Sequence, residues 1–255
     1  QTMAPEAYVY PLPYEYYEKY GIRRYGAHGT SHRYVSAEMA KVLGKPIEET
    51  KIVTCHIGNG SSISAVKGGK VMDTSMGFTP LAGVEMGTRC GDIDPAIVTY
   101  IMEAEGLTTA EMDNLMNKKS GFLGVSGFSS DSRDLENAIA AGPSDPNYER
   151  SDLAVKILTH GIKKYIGSYA AIMNGLDAVV FTAGIGENNP HLRELVCENM
   201  EYLGIKFDKA ANDAAPHVSE NTKISADDSA VAVYVLPTNE ELVIARDTAA
   251  IVASL

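Results

Sequence analysis

The sequence predicts an α/β fold in which a mixed sheet is covered by helices on its faces. Apolar, β-branched runs that are typical of buried strands stand at 51–58, 176–184 and 230–237. Helical segments precede or follow these runs along the chain. From residue 51 onward the predicted order is three strands, a helix, an insertion, and then helix, strand, helix, strand and helix. Strands that alternate with helices in this way favour a sheet with helices packed against it.

The first three strands are predicted to be consecutive. The run "KIVTCHIG" at 51–58 is followed by the turn "NGSS", and the segment "SISAVKGGKVMDTSMGF" then contains Gly68 and Gly69 between two short apolar stretches. Two adjacent glycines between strand-like stretches are a signal for a two-residue hairpin. We therefore expect an antiparallel unit of three strands.

The helix after this unit has clear boundaries in the sequence. The segment 94–106 offers Asp94 as N-cap, Pro95 at the first helical position and Gly106 as the stop. Residues 107–150 are less regular, and we expect two short helices there.

The longest helix is predicted over 151–175. Its apolar residues recur at helical spacing, Ser151 suits the N-cap, and Asn174 with Gly175 suits the C-terminal stop. Another helix is expected to begin with Pro190 at its first position, and a last helix closes the chain.

Composition excludes some classes of partner. The formal net charge is −11 and the sequence pI is about 5.0, with no basic run, which argues against nucleic acid and anionic membranes. No apolar run reaches the ~18 residues of a membrane span, and no signal peptide opens the chain.

Cys55, Cys90 and Cys197 are odd in number and form no CxxC pair, which favours reduced thiols. We expect a cytoplasmic protein.

Two glycine-containing turns are candidates for anion binding. In "HIGNGSS" (56–62) a strand stops at glycines whose following NH groups and hydroxyls can face an anion, although a plain hairpin turn is the alternative. No Lys follows, so it is not the P-loop. In "TAGIGENNP" (182–190) a strand leads into glycines and then a helix, which favours phosphate or nucleotide. A simple connecting turn is the alternative, and Asn189 replaces the third glycine of the dinucleotide fingerprint.

The segment "LPTNEEL" offers a carboxylate. Thr238 as N-cap and Glu241 three residues later fit a capping box, which leaves Glu240 without a structural role. A free carboxylate there suits Mg²⁺. The alternative is a solvated acid in the first helical turn.

Arg89 in "GTRCGDIDP" is a candidate clamp for carboxylate or phosphate, because its guanidinium presents a fork of donors. The alternative is a salt bridge to Asp92 or Asp94. In "SSDSRDL", Asp131 and Arg133 form a polar loop, for which a helix cap and a surface arginine are the simpler interpretation.

The stretch "GAHGTSHRYVS" places His28 and His32 four residues apart. This spacing suits a metal on a helix, but the acid of an HExxH motif is missing. A nucleophilic Ser31 would need a GxSxG-like elbow, which is absent. A third option is His28 as a hydrogen-bond donor to a developing anion. A structural role is the default for a lone histidine, and a zinc hydrolase is the remaining alternative.

Five motifs together resemble the acetate kinase family. They are "RRYGAHGTSHRYV", "CHIGNGSSISAV", "DTSMGFTPLAGVEMGTRCGDIDP", "FTAGIGEN" and "PTNEELVIARDT", in the order of the family and along essentially the whole chain. The resemblance implies a ribonuclease H-like ATPase domain of the actin and sugar-kinase superfamily, with a βββαβαβα core. It implies reversible phosphoryl transfer between ATP and acetate, giving acetyl phosphate and ADP, with Mg²⁺ (or Mn²⁺).

The resemblance also implies roles for individual residues. His28 and Arg89 would stabilise the phosphoryl group in transfer, Glu240 would serve the metal, and Pro80 would line the acyl pocket. The residues implied to contact the nucleotide are His56, Ile57, Gly58, Asn59, Gly60, Asp131, Ser132, Arg133, Gly184, Ile185, Gly186, Glu187 and Asn188. His32 would hold the loop.

Members of the family are longer than this chain, so the resemblance implies that their N-terminal domain, with a catalytic Asp, is absent from it. We expect residues 1–35 to be a connector with an active-site loop, and residues 36–255 to be a C-terminal nucleotide-binding and dimerisation domain. The fragment alone is expected to be inactive, and a homodimer is expected. A propionate or butyrate kinase and a non-catalytic nucleotide-binding module remain alternatives.

Overall fold

The fold is described for residues 2–254 of a computed structural model. The strands are β1 (Lys51–Ile57), β2 (Ser61–Lys67), β3 (Lys70–Thr74), β4 (Ala178–Thr182), β5 (Thr222–Lys223) and β6 (Ala232–Val235). The helices are α1 (Pro5–Tyr8), α2 (Tyr14–Tyr20), α3 (Gly29–Val42), α4 (Pro95–Glu105), α5 (Thr109–Lys118), α6 (Gly121–Ser126), α7 (Ser132–Ala141), α8 (Tyr148–Met173), α9 (Ala183–Asn188), α10 (Pro190–Cys197), α11 (Lys209–Asp213) and α12 (Glu240–Ala253).

The six strands form one mixed sheet in the order β3-β2-β1-β4-β6-β5. The pairs β1–β2, β2–β3 and β5–β6 are antiparallel, whereas β1–β4 and β4–β6 are parallel. The predicted hairpin is confirmed, because Gly68 and Gly69 both take left-handed φ angles of 59° and 72° between β2 and β3. The mixed α/β sheet that the sequence predicts is therefore present, with β5 as an addition.

Alternate residues of β1 face two different layers of helices. Val53, Cys55 and Ile57 belong to the large core that contains α8, whereas Ile52 belongs to a smaller core beneath α3. Because side chains alternate along a strand, Thr54 and His56 lie on the same face as Ile52. The α3 face thus becomes polar toward the end of β1, and this places hydroxyl and imidazole groups under α3.

Helix boundaries follow local signals in some places. Asp94 accepts a hydrogen bond from the Ala96 amide, Pro95 begins α4, and Gly106 ends it in the left-handed region, as expected. Asn174 ends α8 in the left-handed region, and Pro190 begins α10.

Two predictions about helix caps are wrong. Ser151 does not cap α8, because the helix begins three residues earlier, at Tyr148. Ser151 therefore lies within the first turn, and its side chain is buried in the protein. Thr238 and Glu241 form no capping box, because Asn239 caps α12 by accepting from the Leu242 amide. The Thr238 hydroxyl is instead bonded to Ser31.

Residues 107–150 contain three helices rather than two, because tertiary contacts stabilise α6. Its Phe122 and Leu123 amides donate to the carbonyls of Met86 and Gly87 at 2.9 and 3.0 Å. A Cβ on Gly121 would lie 2.0 Å from the Met86 carbonyl oxygen, so only glycine fits there. Helix α6 therefore fixes the segment that carries Arg89.

Three further observations concern the described residues. Among residues 2–254, no helix combines the length and apolarity that crossing a membrane requires. The three cysteines are free thiols. The expected division at residue 35 stays a prediction, and α3 runs continuously through that position.

Candidate active site

The candidate site lies where three parallel strands end. Strands β1, β4 and β6 run in the same direction, so the turns after Ile57, Thr182 and Val235 emerge at one edge of the sheet. In open α/β sheets the carboxyl ends of parallel strands are the usual place for a ligand. This geometry brings together motifs that are more than a hundred residues apart in sequence.

A cleft of about 660 Å³ opens at this edge. Its lining residues are His28, His56, Gly58, Asn59, Gly60, Asp131, Ser132, Arg133, Glu136, Ala183, Gly184, Ile185, Asn188, Asn189 and His217. Ten of the thirteen residues expected at the nucleotide are in this set, together with His28.

The other three expected residues lie behind the cleft wall. Ile57 and Gly186 are buried, and Ile57 belongs to the large core. A carboxylate oxygen of Glu187 accepts hydrogen bonds from the Ala183 amide at 2.8 Å and from the Thr238 amide at 3.2 Å. Glu187 therefore ties the turn after β4 to the turn after β6.

Sequence reasoning missed four residues of the lining. Glu136 accepts a hydrogen bond from the Asn189 side chain at 2.6 Å, and His217 bonds to Asn188 at 2.9 Å. Ala183 has a φ of 66°, which is unusual for a residue with a Cβ. Only Asn189 offered a sequence signal, as the residue before Pro190, and it does cap α10.

His28 and His32 lie one turn apart at the start of α3 and meet the same hydroxyl. His28 Nδ1 is 2.9 Å and His32 Nε2 is 2.7 Å from Ser62 Oγ. The other nitrogen of His32, Nδ1, lies 2.7 Å from Thr54 Oγ1. The spacing of the two histidines thus serves a hydrogen-bonded chain that ends on β1 and β2.

His56 holds His28 from the other side. The two rings stack with centroids 4.0 Å apart and an interplanar angle of 17°. His56 Nδ1 lies 2.9 Å from Ser31 Oγ, which lies 2.9 Å from Thr238 Oγ1. His28 is therefore fixed by one hydrogen bond and by one ring face.

All three histidines are held in the neutral form. Burial lowers the pKa of His32 to about 3, with smaller contributions from the neighbouring histidines. Burial and His28 lower the pKa of His56 to about 4. The pKa of His28 is also lowered, first by burial and then by the positive charge of Arg89. Near neutral pH, His28 can therefore donate a hydrogen bond without carrying a charge.

Arg89 reaches the same corner of the cleft and has no acidic partner among residues 2–254. Its Nη1 donates to the Pro80 carbonyl at 3.3 Å, and a Cβ on Gly60 would lie 3.2 Å from that nitrogen. The alternative of a salt bridge is wrong, because Asp94 caps α4 and Asp92 bonds to the Gly83 amide and the Tyr165 hydroxyl. The guanidinium is thus available to an anionic ligand.

The opposite wall of the cleft carries Asp131 and Arg133. Asp131 caps α7 by accepting from the Arg133 amide at 3.0 Å, and the two side chains form an ion pair at 2.5 Å. The simpler interpretation of this loop, a cap and a surface arginine, describes these contacts, and both residues also line the cleft.

Glu240 is the first residue of α12 and is half-buried. Among residues 2–254 no three His, Cys, Asp or Glu side chains are grouped so as to hold a metal ion by themselves. A metal would therefore need further ligands, such as phosphate oxygens and water.

Comparison with known proteins places this geometry in context. A family model described as "Acetokinase family" matches residues 1–246. Acetate kinase from Halothermothrix orenii is 58% identical over 100% of this chain and 62% of its own length. The crystal structure of Porphyromonas gingivalis acetate kinase superposes with a TM-score of 0.94 at 51% identity, covering 98% of this chain and 61% of its own.

A propionate kinase is also similar. The crystal structure of that enzyme from Francisella tularensis has a TM-score of 0.86 at 43% identity, over 95% of this chain and 60% of its own. The chain thus spans about three fifths of the length of the relatives it matches. The likeness to acetate kinase structures confirms the fold class expected from the motifs.

Proposed function

The chain belongs to the acetokinase family, and from this premise we propose that it forms the nucleotide-binding part of a kinase. The reaction is reversible transfer of a phosphoryl group between ATP and acetate, giving acetyl phosphate and ADP. The observation that carries the proposal is the convergence of three sequence motifs and His28 on one cleft, with Arg89 at its corner.

The cleft suits a nucleotide in size and chemistry. Its volume of about 660 Å³ is in the range of small-molecule sites. The turn at 58–60 and the N-terminal residues Gly184 and Ile185 of α9 expose backbone to the cleft for phosphate groups, and Asn59 supplies an amide. The loop of Asp131 and Arg133 lies on the wall where we assign the adenosine.

His28 and Arg89 are assigned to the phosphoryl group in transfer. Both lie against Gly60, on the side of the turn that we assign to the γ-phosphate. Phosphoryl transfer needs positioning and neutralisation of negative charge more than covalent help. The guanidinium supplies a permanent charge, and the neutral imidazole supplies a donor at Nε2.

We assign Glu240 to Mg²⁺ or Mn²⁺. Its donor chemistry fits, because Mg²⁺ in phosphoryl-transfer sites takes one or two carboxylates and completes its shell with phosphate oxygens and water. The bond between Thr238 and Ser31 brings the start of α12 next to His56. When bound, the ion would neutralise the phosphates of the nucleotide.

Acetate is assigned to the region of Pro80. The Pro80 carbonyl accepts from Arg89, so the expected acyl pocket adjoins the expected phosphate clamp. Pro80 and Phe78 are exposed, which leaves room for further residues of the parent protein to complete the pocket. We propose that an N-terminal domain supplies them, since the relatives are longer than this chain.

A first test measures nucleotide binding by calorimetry on this chain. We expect MgADP to bind, and Asn59→Ala to weaken binding by about tenfold, which corresponds to the loss of one hydrogen bond. Asn114→Ala is the matched control, because Asn114 is exposed on α5 and outside the cleft. The absence of any heat with MgADP or MgATP at high concentration would contradict the proposal.

A second test measures catalysis as hydroxamate formation from acetate and MgATP. We expect little or no turnover by this chain alone. Turnover close to that of a complete acetate kinase would overturn the assignment of catalytic groups to an N-terminal domain. Nucleotide binding without turnover by a complete enzyme would instead favour a non-catalytic module.

Propionate kinase is the second candidate, favoured by the structural likeness to the Francisella tularensis enzyme. The ratio of kcat/KM for acetate and propionate in the complete enzyme distinguishes the two. A preference for propionate would reassign the substrate without affecting the nucleotide site.

We also propose that two copies of the chain form a homodimer. Helix α4 is apolar yet has no buried residue, and Ile97, Tyr100, Leu153 and Ile157 expose apolar surface on α4 and α8. Large exposed apolar patches are typical of interfaces. Sedimentation equilibrium showing a monomer at all concentrations would contradict this.

A further inference from the structure

We propose that Thr54, His32 and Ser62 form a hydrogen-bonded relay that holds His28 as the tautomer with its proton on Nε2, facing the cleft. His32 and Ser62 are then positioning residues for His28. The consequence for catalysis rests on the proposed function, whereas the relay itself rests only on contacts within this chain.

The relay has three short links. Thr54 Oγ1 lies 2.7 Å from His32 Nδ1, His32 Nε2 lies 2.7 Å from Ser62 Oγ, and Ser62 Oγ lies 2.9 Å from His28 Nδ1. All these distances are within the range of good hydrogen bonds. Thr54, Ser62 and His32 are buried, so no solvent replaces a missing link.

The hydroxyl of Ser62 couples the two rings. It has one proton and lies between two imidazole nitrogens, so it donates to one and accepts from the other. If both nitrogens donated, the Ser62 proton would be buried without an acceptor, and if both accepted, one link would be lost. Protons along the relay therefore all point in the same direction.

The end of the relay on β1 selects that direction. If His32 donated to Thr54, the Thr54 hydroxyl would have to donate to the Ser64 carbonyl, which lies 3.5 Å away. A hydrogen bond of that length is weak. If Thr54 donates to His32, its proton enters the 2.7 Å link instead. The second arrangement gives every proton between Thr54 and His28 Nδ1 a short bond, and the His28 Nε2 proton is left to face the cleft.

The cleft end of the relay agrees. With Ser62 donating to His28 Nδ1, the His28 proton resides on Nε2, which lies 3.6 Å from the Cβ position of Gly60. Arg89 also lies against Gly60, yet it donates to Pro80 rather than to His28. An imidazole donor therefore faces the turn that we assign to the γ-phosphate.

Two features keep the relay intact. The pKa of His32 is lowered to about 3 by burial, so the ring stays neutral over the physiological range. Stacking on His56 at 4.0 Å prevents His28 from rotating away from Ser62. A preorganised neutral donor stabilises developing negative charge without reorganisation during the reaction.

The test is nitrogen NMR of this chain with ¹⁵N-labelled histidine, assigned with His28→Gln and His32→Gln. We expect the proton on Nε2 in both rings, and both Nδ1 signals shifted as for nitrogens that accept a hydrogen bond. Ser62→Ala should remove this shift at His28. Thr54→Val should remove it at His32 and decrease it at His28, and Thr54→Ser should restore both.

Ser64→Ala is the matched control, because Ser64 lies on the same face of β2 but its hydroxyl bonds to Thr74. It should leave both rings unchanged. A proton on Nδ1 of His28 in the parent chain would overturn the relay, and that spectrum is decisive even if a variant does not fold. An unchanged His28 signal in Thr54→Val would also overturn it.

A kinetic measurement on the complete enzyme gives a second readout. Thr54→Val should lower kcat by about tenfold or more while the KM for nucleotide is unchanged, as expected for a misplaced catalytic group. Thr54→Ser should recover kcat, and an unchanged kcat in Thr54→Val would overturn the catalytic consequence. If the spectra show the relay but the chain binds no nucleotide, the proposed function fails while the relay stands.

Discussion

Two sets of buried polar side chains lie on opposite faces of the sheet and differ in how their hydrogen bonds are satisfied. The histidine cluster (His28, His32 and His56) lies beneath α3, and each ring is bonded through Nδ1 to a hydroxyl. The other set, which we call the Glu85 set, consists of Glu85, Ser151 and Tyr169. These side chains are spread along α8, since Ser151 and Tyr169 are 18 residues, or about 27 Å, apart on that helix.

Among residues 2–254, the buried oxygens of the Glu85 set form no hydrogen bond of normal geometry, although the Leu158 amide lies near Glu85. Each such group destabilises the fold by about 1–3 kcal/mol. Buried polar side chains next to the expected ligand site are therefore hydrogen-bonded, whereas those of the Glu85 set, on the opposite face of the sheet, are not. We therefore expect the loss of a polar group to destabilise the fold in the histidine cluster and to stabilise it in the Glu85 set.

The largest effect is expected at Gly121, which packs against the segment that contains Glu85 and Arg89. This segment carries Glu85 toward α8 and Arg89 toward the cleft. Gly121→Ala should lower the free energy of unfolding by more than about 4 kcal/mol, because the new methyl group would meet the Met86 carbonyl and the residue has a φ of 61°.

Gly106→Ala is the control for backbone strain alone. Gly106 has a φ of 65° but open space around its Cβ position. It should cost about 1 kcal/mol in urea unfolding. Equal losses in the two variants would show that contact with Met86 is unimportant.

The next effect is expected at His32. His32→Ala should cost about 3 kcal/mol, because it creates a cavity and leaves Ser62 and Thr54 without their partner. His160→Ala on the exposed side of α8 is the control and should change stability by less than about 0.5 kcal/mol. Urea unfolding of both variants measures the difference, and a cost below 1 kcal/mol at His32 would contradict a structural network.

The stability contributed by Glu85 and by the histidine cluster should depend on pH in opposite directions. Burial raises the pKa of Glu85 to about 8, opposed in part by the Leu158 amide. The folded state then retains a proton that the unfolded state loses above pH ~4.5. The stability contributed by protonated Glu85 is complete below that pH and is lost as pH rises toward 8.

Glu85→Gln tests this directly. Parent stability should fall by up to about 1.4 kcal/mol per pH unit between pH ~5 and ~8 owing to this one group, and the variant should lack that slope. Glu105→Gln, at an exposed glutamate of α4, should retain it. Identical pH profiles in parent and Glu85→Gln would show that the carboxyl is paired in solution.

The histidine cluster should fail at the acid end instead. Because the pKa of His32 is lowered to about 3, its neutral form contributes stability that is present above pH ~6.5 and is lost as pH falls toward 3. His32→Gln should flatten this acid limb in the same unfolding series while leaving the Glu85 limb in place.

The smallest effect is expected at Gly60. In Gly60→Ala the new Cβ would lie 3.2 Å from Arg89 Nη1, the flexible end of that side chain, and 3.6 Å from the His28 ring, an ordinary van der Waals distance, so stability should change little. MgADP affinity should fall by about tenfold, or about 1.4 kcal/mol. Gly29→Ala, with no atom near its Cβ position, is the control and should retain affinity.

Local signals predicted much of the fold but failed where a side chain had another partner. The hairpin at Gly68 and Gly69 and the caps of α4 follow from backbone geometry that neighbouring residues impose. Thr238 did not cap α12, because its hydroxyl bonds to Ser31, more than two hundred residues away. Helix α6 depends on the carbonyl groups of Met86 and Gly87 rather than on its own propensity.

The candidate site shows the same division. The glycine turns and His28 were recognised as motifs, and ten of the expected nucleotide residues line the cleft. His217 was missed because nothing near it in sequence indicates a ligand. Glu136 lies three residues after Arg133, and only the helical turn of α7 places it in the cleft. His32 was assigned only to holding the loop, since a pattern of letters does not show that Ser62 lies between two rings.

The α/β class, the order of the main strands and of the longer helices after residue 51, and the family to which the motifs belong could be predicted from the sequence. These features depend on periodicity, turn residues and short motifs, which are local. Packing was needed to show that, among residues 2–254, Arg89 has no acidic partner and Glu85 is buried without a salt bridge, and that His28 and His32 share Ser62. Hydrogen-bond partners are chosen by proximity in space, and that proximity exists only after β1, β2 and α3 have packed together.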